Sequence, residues 1–264
     1  MVDIITHDGL TQWRFSSLAS RLAGYSASAF LTADGILVDT GIPVAQAEFE
    51  RLLDGSQIAG VMVTHHHEDH AGNVEQVARR GIPMCLAPET ARLVRTVEPI
   101  RAYRRLTWTS MTPLTSPLVP FDAAPLQLIA APGHSTDHHV VWDPRTRTLF
   151  SGDLFLGVQV RIAHHDEDPW TLIESLEAVA ALEPERMCCA HRGLVLQPAA
   201  ALRAKAAWTR EMIATITTRI TRGESDTQIM RAVMGGESLT GRASGGEYSR
   251  RNFIRAIRSR TVNS

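Results

Sequence analysis

Four histidines lie within six residues directly after a short apolar segment, and this feature constrains the fold more than any other. The apolar segment, residues 58–64 (IAGVMVT), has the length and composition of a buried β-strand. The polar segment 64–73 (THHHEDHAGN) follows it. Imidazole and carboxylate groups are good ligands for zinc and similar metals, and burying so many without an ion is costly. We therefore expect a metal site at the end of this strand.

The spacing within the polar segment suits two neighbouring ions. His65 and His67 are two residues apart, so they point to the same side of an extended chain. Asp69 and His70 follow where the chain is expected to turn into a helix, and Gly72 permits a tight turn there. One short loop can therefore supply ligands to two adjacent metals.

Secondary-structure signals indicate alternating strands and helices, followed by helices alone. Strands are expected at 27–33, 36–39, 58–64, 84–87, 126–131, 139–143, 148–152 and, as the last strand, 186–191. Helices are expected at 43–53, 72–80, 89–97, 169–182, 198–222, 226–234 and 249–260. Five prolines predict an irregular segment over 98–124.

Four potential ligands lie just past the ends of predicted strands: His65, His134, Asp153 and His191. Loops at strand ends converge on one edge of a sheet core, where sites of α/β proteins assemble. We therefore expect these residues to meet in space although they are far apart in the sequence.

The motifs around these residues resemble the signature of the metallo-β-lactamase superfamily. The matching segments are 38–41 (VDTG), 65–70 (HHHEDH), 132–135 (PGHS), 151–153 (SGD) and 190–191 (AH). The resemblance covers about residues 25–195. It implies an α/β fold, a four-layer αββα sandwich that forms a catalytic domain over residues 1–197. A basic helical extension over residues 198–264 is expected to follow.

The resemblance also implies a role for each residue of a two-metal site. One ion would be held by His65, His67 and His134, the other by Asp69, His70 and His191, and Asp153 would bridge both. Asp39 is expected to orient ligands without binding metal. Two divalent ions are implied, with zinc preferred and manganese or iron as alternatives.

The implied reaction is hydrolysis by a hydroxide that bridges the two ions and that Asp69 helps to hold. We expect a small ester, thioester or lactone as substrate, because the ligand set is complete and the formal net charge is only -1. Segment 64–73 is similar to that of glyoxalase II, whereas Asp153 is usually absent from antibiotic-cleaving β-lactamases. Segment 132–139 departs from the family pattern, which has a glycine near Asp137 or His138.

Three alternatives remain open from the sequence. A nuclease of the same fold is one, because from residue 201 onward twelve basic residues face five acidic ones, a net charge of +7. A mono-iron oxidoreductase similar to the persulfide dioxygenases is another, although these enzymes use fewer ligands. A non-catalytic binding module is the third, and the intact ligand set argues against it.

Partners and location are inferred from composition. We expect a small-molecule substrate and no membrane contact. Nucleic-acid binding through the basic C-terminal helices is a less favoured alternative, and self-association is left open by the sequence. The three cysteines do not form a disulfide framework, and no leader or membrane-spanning apolar run is evident, so a cytoplasmic location is expected. Segments 99–120 and 154–168 are expected to flank the site. Candidate substrate contacts there are Tyr103, Trp108, Arg161, His164 and His165.

Overall fold

The computed structural model describes residues 1–262, and their contacts divide the chain into two compact units. The first unit consists of Met1–Ala130, Asp137–Asp153 and Pro184–Leu196. The second consists of Ala131–Thr136, Leu154–Glu183 and residues 197–262. These units do not coincide with the predicted catalytic domain (residues 1–197) and basic extension (residues 198–264). The division into a catalytic domain and an extension stays a prediction. Residues 263–264 of the predicted extension lie outside the described residues.

Two β-sheets form the first unit. One has the order β1-β2-β3-β4-β5-β6, with strands Val2–His7, Leu10–Phe15, Ala27–Thr32, Ile36–Val38, Gly60–Met62 and Met84–Cys85. The other has the order β11-β10-β9-β8-β7, with β7 to β11 at Gln127–Ala130, His139–Asp143, Thr148–Phe150, Arg186–Cys189 and Gly193–Val195. The helices α1 to α5 of this unit are Leu18–Leu22, Gln46–Asp54, Val74–Arg79, Pro88–Leu93 and Ala102–Thr107.

The two sheets pack against each other through apolar side chains that alternate along their strands. Phe30 and Met62 of the first sheet share a buried cluster with Val141 and Phe150 of the second. The rings of Phe30 and Phe150 lie 5.8 Å apart. The opposite face of the first sheet packs on helices, where Trp13, Leu37 and Val61 join Phe49 of α2 and Val77 of α3 in a second cluster.

Two pairs of parallel strands bring the predicted ligands to one edge in each sheet. β4 and β5 are parallel neighbours, so Asp39 and His65, which follow them, leave the first sheet at the same edge. β9 and β10 are parallel neighbours in the second sheet, and Asp153 and His191 follow these strands. His65, Asp153 and His191 therefore lie at strand ends that share an edge with a parallel neighbour, as predicted for them.

Helices dominate the second unit. They are α6 Pro169–Ala180, α7 Pro198–Thr221, α8 Asp226–Met234, α9 Leu239–Ala243 and α10 Arg250–Val262. Ile216, Ile229, Phe253 and Ile257 are buried together in their core. Ser225 caps α8 by accepting a hydrogen bond from the Gln228 backbone, as a serine before a helix predicts.

The predicted class, α/β with two sheets and C-terminal helices, is confirmed, but several elements differ from the predictions. The segment expected to be irregular contains α5, because Pro99 and Pro113 flank this helix rather than interrupt it. The strand expected to be the last is followed by β11, because Gly193 adopts φ 69° and lets the chain turn back on β10. No helix among residues 1–262 is long and apolar enough to cross a membrane.

The loop that follows α5 is attached to α3 by one buried carboxylate. Glu75 accepts hydrogen bonds from the backbone N–H groups of Thr115 (2.9 Å) and Ser116 (3.1 Å) and from both hydroxyls. Burial alone would raise the pKa of Glu75, but these hydrogen bonds outweigh it and lower the pKa to about 2. The ionised carboxylate therefore stabilises this loop.

We expect Glu75→Gln to lower the free energy of unfolding by about 2 kcal/mol at neutral pH. Because the pKa is lower in the folded chain than in the unfolded chain, the stabilisation is present above about pH 5 and is lost as the pH falls from there towards 2. Urea denaturation at neutral pH and near pH 4 checks this. Glu185→Gln, at a side chain that is 70% exposed, is the control. A loss of stability that does not shrink on acidification would contradict the assignment.

Candidate metal centre

Six of the seven predicted ligands come together in the first unit. His65, His67 and Asp153 each offer one ligand atom, and these atoms lie within 4.8 Å of one another. A second group with the same property consists of Asp69, His70 and His191. These side chains are buried or nearly so, although Asp69 remains 12% exposed. The structure thus places two ligand groups side by side.

Asp153 connects the two groups. Its Oδ1 lies 3.2 Å from His70 Nε2 and 3.0 Å from His191 Nε2. His65 Nε2 and His67 Nδ1 lie 3.0 Å apart, and His191 Nε2 is 3.5 Å from Asp69 Oδ2. Two ligand atoms of one tetrahedral zinc are about 3.3 Å apart, given zinc–nitrogen bonds of about 2.0–2.1 Å. The observed separations fit ligands that share ions.

Asp39 sets the orientation of His70. Asp39 directly follows β4. Its φ of 63° lies in the left-handed region that is uncommon for residues other than glycine. Its carboxylate accepts hydrogen bonds from the Thr64 backbone N–H (2.8 Å) and from the Thr64 hydroxyl. It also lies 2.8 Å from His70 Nδ1. A carboxylate only accepts, so Nδ1 donates and the lone pair of the ring is on Nε2.

A hydrogen-bond acceptor at Nδ1 also orients the rings of two more histidines. His65 Nδ1 lies 3.1 Å from the Thr64 hydroxyl oxygen, whose proton faces Asp39, and His191 Nδ1 lies 2.6 Å from the Ser26 carbonyl oxygen. Both Nδ1 atoms therefore donate, which leaves the lone pairs on Nε2. The Nε2 atoms of His70 and His191 are buried and form no hydrogen bond among the described residues. Such atoms are suited to a cation.

The electrostatics of the site favour positive charge. Burial alone would lower the pKa of His70, but the carboxylates of Asp153, Asp39 and Asp69 outweigh it and raise that pKa well above 6.5. Burial alone would raise the pKa of Asp153, yet His191 and His70 hold it well below its ordinary value. A field that favours protons on buried imidazoles also attracts divalent cations. The donor set and its field therefore fit a metal centre.

The ligand loop is held in place by residues that face away from the ligands. Asp137, which is buried, accepts hydrogen bonds from the backbone N–H of His66 (2.9 Å) and the hydroxyl of Thr90 (2.9 Å). Its other carboxylate oxygen lies 2.8 Å from His66 Nδ1. Asp137 lies in the segment where the family pattern has a glycine. Here the departure provides an anchor for the loop that carries His65 and His67.

Two further contacts fix the other half of the loop. Arg104 of α5 donates to both carboxylate oxygens of Glu68, in an ion pair that is almost fully buried. A Cβ atom on Gly72 would overlap the carbonyl oxygens of Glu68 and Gly41. The tight turn expected at Gly72 is therefore present, and a larger residue does not fit there.

The remaining predicted ligand, His134, belongs to the second unit. Its Nδ1 lies 3.4 Å from Glu167 Oε1, and the neighbouring Gly133 carbonyl accepts a hydrogen bond from the Asp168 backbone (2.9 Å). An acceptor at Nδ1 is also found at His65, His70 and His191. The role of His134 as a ligand remains a prediction.

The structure locates the candidate substrate contacts without testing them. Tyr103 lies on α5 and Trp108 directly follows it, both in the first unit. Arg161 lies in the second unit, as do His164 and His165, which form a further potential ligand group with Asp166.

Sequence reasoning missed three residues of the site. Thr64 orients Asp39 and His65, and its position inside the histidine motif was an available signal. His138 Nε2 accepts a hydrogen bond from the Asp153 backbone N–H at 3.0 Å. The ring of Tyr25 lies 4.8 Å from the ring of His191, and nothing in the sequence around Tyr25 indicated this.

Comparison with known protein families is consistent with this geometry. A family model described as the metallo-beta-lactamase superfamily matches residues 26–191. A hydroxyacylglutathione hydrolase of Thiobacillus denitrificans is 32% identical over 59% of this chain and 56% of its own length. A beta-lactamase-like protein 2 homolog of Drosophila melanogaster is 29% identical over 70% of this chain and 68% of its own.

Other similarities agree in fold and in class. A probable metallo-hydrolase of Bacillus subtilis is 28% identical over 60% of this chain and 76% of its own length. A solved structure of a metallo-beta-lactamase family protein from Thermus thermophilus aligns with a TM-score of 0.65, at 16% identity, over 95% of this chain and 92% of its own. This structural likeness shows the fold. The chain spans little more than half of the hydroxyacylglutathione hydrolase.

We expect Asp137→Asn to weaken zinc binding by about 10- to 100-fold, because it breaks the anchor of the loop that carries His65 and His67. Competition with a chromophoric chelator measures the affinity, and thermal unfolding of the metal-free protein checks the fold. Asp54→Asn, at a side chain that is 67% exposed, is the control. A folded variant with unchanged zinc affinity would show that Asp137 does not position the loop.

Proposed function

Because this chain belongs to the metallo-beta-lactamase superfamily, we propose that it is a metal-dependent hydrolase with two divalent ions, preferably zinc. Its proposed substrate is a small ester, thioester or lactone. The observation that carries the two-ion proposal is the position of Asp153. One of its oxygens is within 3.2 Å of both His70 and His191, and the same residue groups with His65 and His67. A carboxylate shared by two ligand groups suits a bridging ligand.

Seven residues would hold the ions: His65, His67 and His134 for one, Asp69, His70 and His191 for the other, and Asp153 for both. When bound, the ions would supply Lewis acidity towards a carbonyl oxygen and make a nearby water more acidic. Asp69, a more exposed carboxylate than Asp153, would accept a proton from the attacking water and orient it. Asp39 and Thr64 keep the imidazoles turned with Nε2 towards the site.

The cysteines are not needed as nucleophiles. Cys188 and Cys189 are buried in β10, and Cys85 lies in β6. Burial raises the pKa of the Cys188 thiol, and burial together with Asp122 raises that of Cys85. Protonated thiols are poor nucleophiles. We therefore propose that water, rather than a cysteine, attacks the substrate.

The names of relatives support a carbonyl substrate. The Thiobacillus denitrificans relative is named for hydrolysis of a hydroxyacylglutathione, which is a thioester. Attack by water on a thioester, an ester or a lactone needs the same groups: a polarised carbonyl oxygen, an oriented water and an acceptor for its proton.

The basic extension gives the nuclease alternative less support than its charge suggests. Many of its cations already have partners within the second unit. Arg203 pairs with Glu183, Arg210 with Glu177, Arg219 with Glu224, and both Arg255 and Arg258 with Asp226. Lys205 is buried and donates to the Leu154 carbonyl at 2.7 Å. Cations that are paired locally attract phosphates less strongly.

We expect the zinc-loaded protein to cleave one of three carbonyl substrates, a p-nitrophenyl ester, an aryl thioester or a lactone, and to leave bis-p-nitrophenyl phosphate intact. Asp153→Asn should lower kcat/KM by at least about 100-fold, because it removes the charge shared by both ligand groups. Asp3→Asn, at a side chain that is 60% exposed, should stay within about twofold.

Other results of this screen would decide between the alternatives. Cleavage of the phosphodiester alone would favour the nuclease. One equivalent of iron in protein purified without added metal, together with no hydrolysis, would favour the oxidoreductase. Equal turnover by Asp153→Asn and the wild type would contradict the proposed site.

A further inference from the structure

Three strongly exposed leucines lie on two neighbouring helices of the first unit. Leu18 and Leu22 of α1 are 72% and 83% exposed, and Leu106 of α5 is 76% exposed. The two helices contact each other. Leu18 and Leu22 are four residues apart, so they lie on the same side of α1. Exposed apolar side chains grouped in this way indicate a binding surface. We call these three leucines, together with Tyr25, the apolar rim.

Tyr25 connects the apolar rim to the metal centre. Its ring lies 4.8 Å from the ring of the predicted ligand His191 and 6.0 Å from the ring of Trp108, which directly follows α5. The Tyr25 side chain is partly exposed, with a relative accessibility of 37%. Tyr25, which follows α1, and Trp108, which follows α5, therefore form an aromatic pair at the side of a metal ligand.

The backbone holds this connection in place. The Tyr25 N–H donates to the Ser20 carbonyl of α1 at 2.7 Å, and the next residue, Ser26, accepts the hydrogen bond from His191 Nδ1 at 2.6 Å. On the α5 side, the Trp108 carbonyl accepts a hydrogen bond from the Val44 N–H at 2.9 Å. The backbone that carries both rings is thus anchored, and Ser26 ties it to His191. A surface of this kind can bind a ligand without first becoming ordered.

We propose that the apolar rim binds the hydrocarbon chain of the substrate while its carbonyl group lies at the metal centre. The proposal rests on the hydrolase function proposed above and narrows the substrate class to esters, thioesters or lactones with an extended acyl chain. The proposed occupant is a substrate chain because Tyr25, one member of the rim, lies beside the predicted ligand His191. A substrate with a short acyl group would leave the leucines in water.

The test is the dependence of kcat/KM on chain length, measured with p-nitrophenyl esters from acetyl to octanoyl. In the wild type each added methylene should raise kcat/KM by about two- to fourfold until the rim is covered. In the double variant Leu18→Ser/Leu22→Ser the ratio of octanoyl to acetyl turnover should fall by at least about tenfold, mainly through KM. Leu239→Ser, which changes an equally exposed leucine (84%) on α9 of the second unit, is the control.

A second readout separates the rim from the chemistry. Calorimetry with octanamide and acetamide measures binding of the chain without turnover. If the wild type prefers octanamide to acetamide and the double variant loses this preference, the rim is supported. If in addition no ester is cleaved, the proposed hydrolysis is contradicted but the rim is not. Esters that are cleaved with no dependence on chain length, or with the same dependence in the double variant, would overturn the rim and leave the hydrolase standing. A dimer in sedimentation that the double variant dissociates, without a chain-length effect, would assign the surface to a second copy instead.

Discussion

The hydrogen bonds that Asp39 accepts from Thr64 and His70 join the end of β4 to the ligand loop after β5, and the rest of the centre is arranged around this contact. Without it the buried His70 would have no fixed tautomer, and its Nε2 would not be directed at Asp153. Asp39 adopts a left-handed conformation at this point. Backbone strain of this kind persists where the surrounding structure stabilises it, here through three hydrogen bonds and a parallel strand pair.

Three of the predicted histidine ligands are positioned by a partner on the far side of the ring, and these partners come from different parts of the chain. Asp39 acts on His70, Thr64 on His65 and the Ser26 carbonyl on His191. Because the partners orient the rings before any ion arrives, metal binding does not have to order the ligands. Tyr25 lies beside His191, one residue before the Ser26 carbonyl that orients this ligand. The segment that orients the ligand therefore also carries a side chain next to it.

The ligands and the class of fold could be predicted from the sequence because their signals are local. One segment contains four of the predicted ligands, His65, His67, Asp69 and His70. Asp153 and His191 each directly follow a predicted strand, which is also a local signal. Tyr25 and Asp137 gave no such signal, because their roles depend on contacts with residues far away in the chain. β11 was missed for a similar reason: three residues pair only because Gly193 turns the chain back on β10. Helix α5 was missed because nearby prolines suggested a break that falls outside it.

The most direct test of the account is the stoichiometry of zinc binding to the metal-free protein. Two ligand groups that Asp153 connects predict that titration with Zn²⁺, followed by competition with a chromophoric chelator, saturates at about two equivalents. Binding should also raise the midpoint of thermal unfolding, since the ligand groups are assembled in the folded chain alone. Saturation at one equivalent, or no tight binding at all, would contradict the two-ion centre on which the proposed hydrolysis depends.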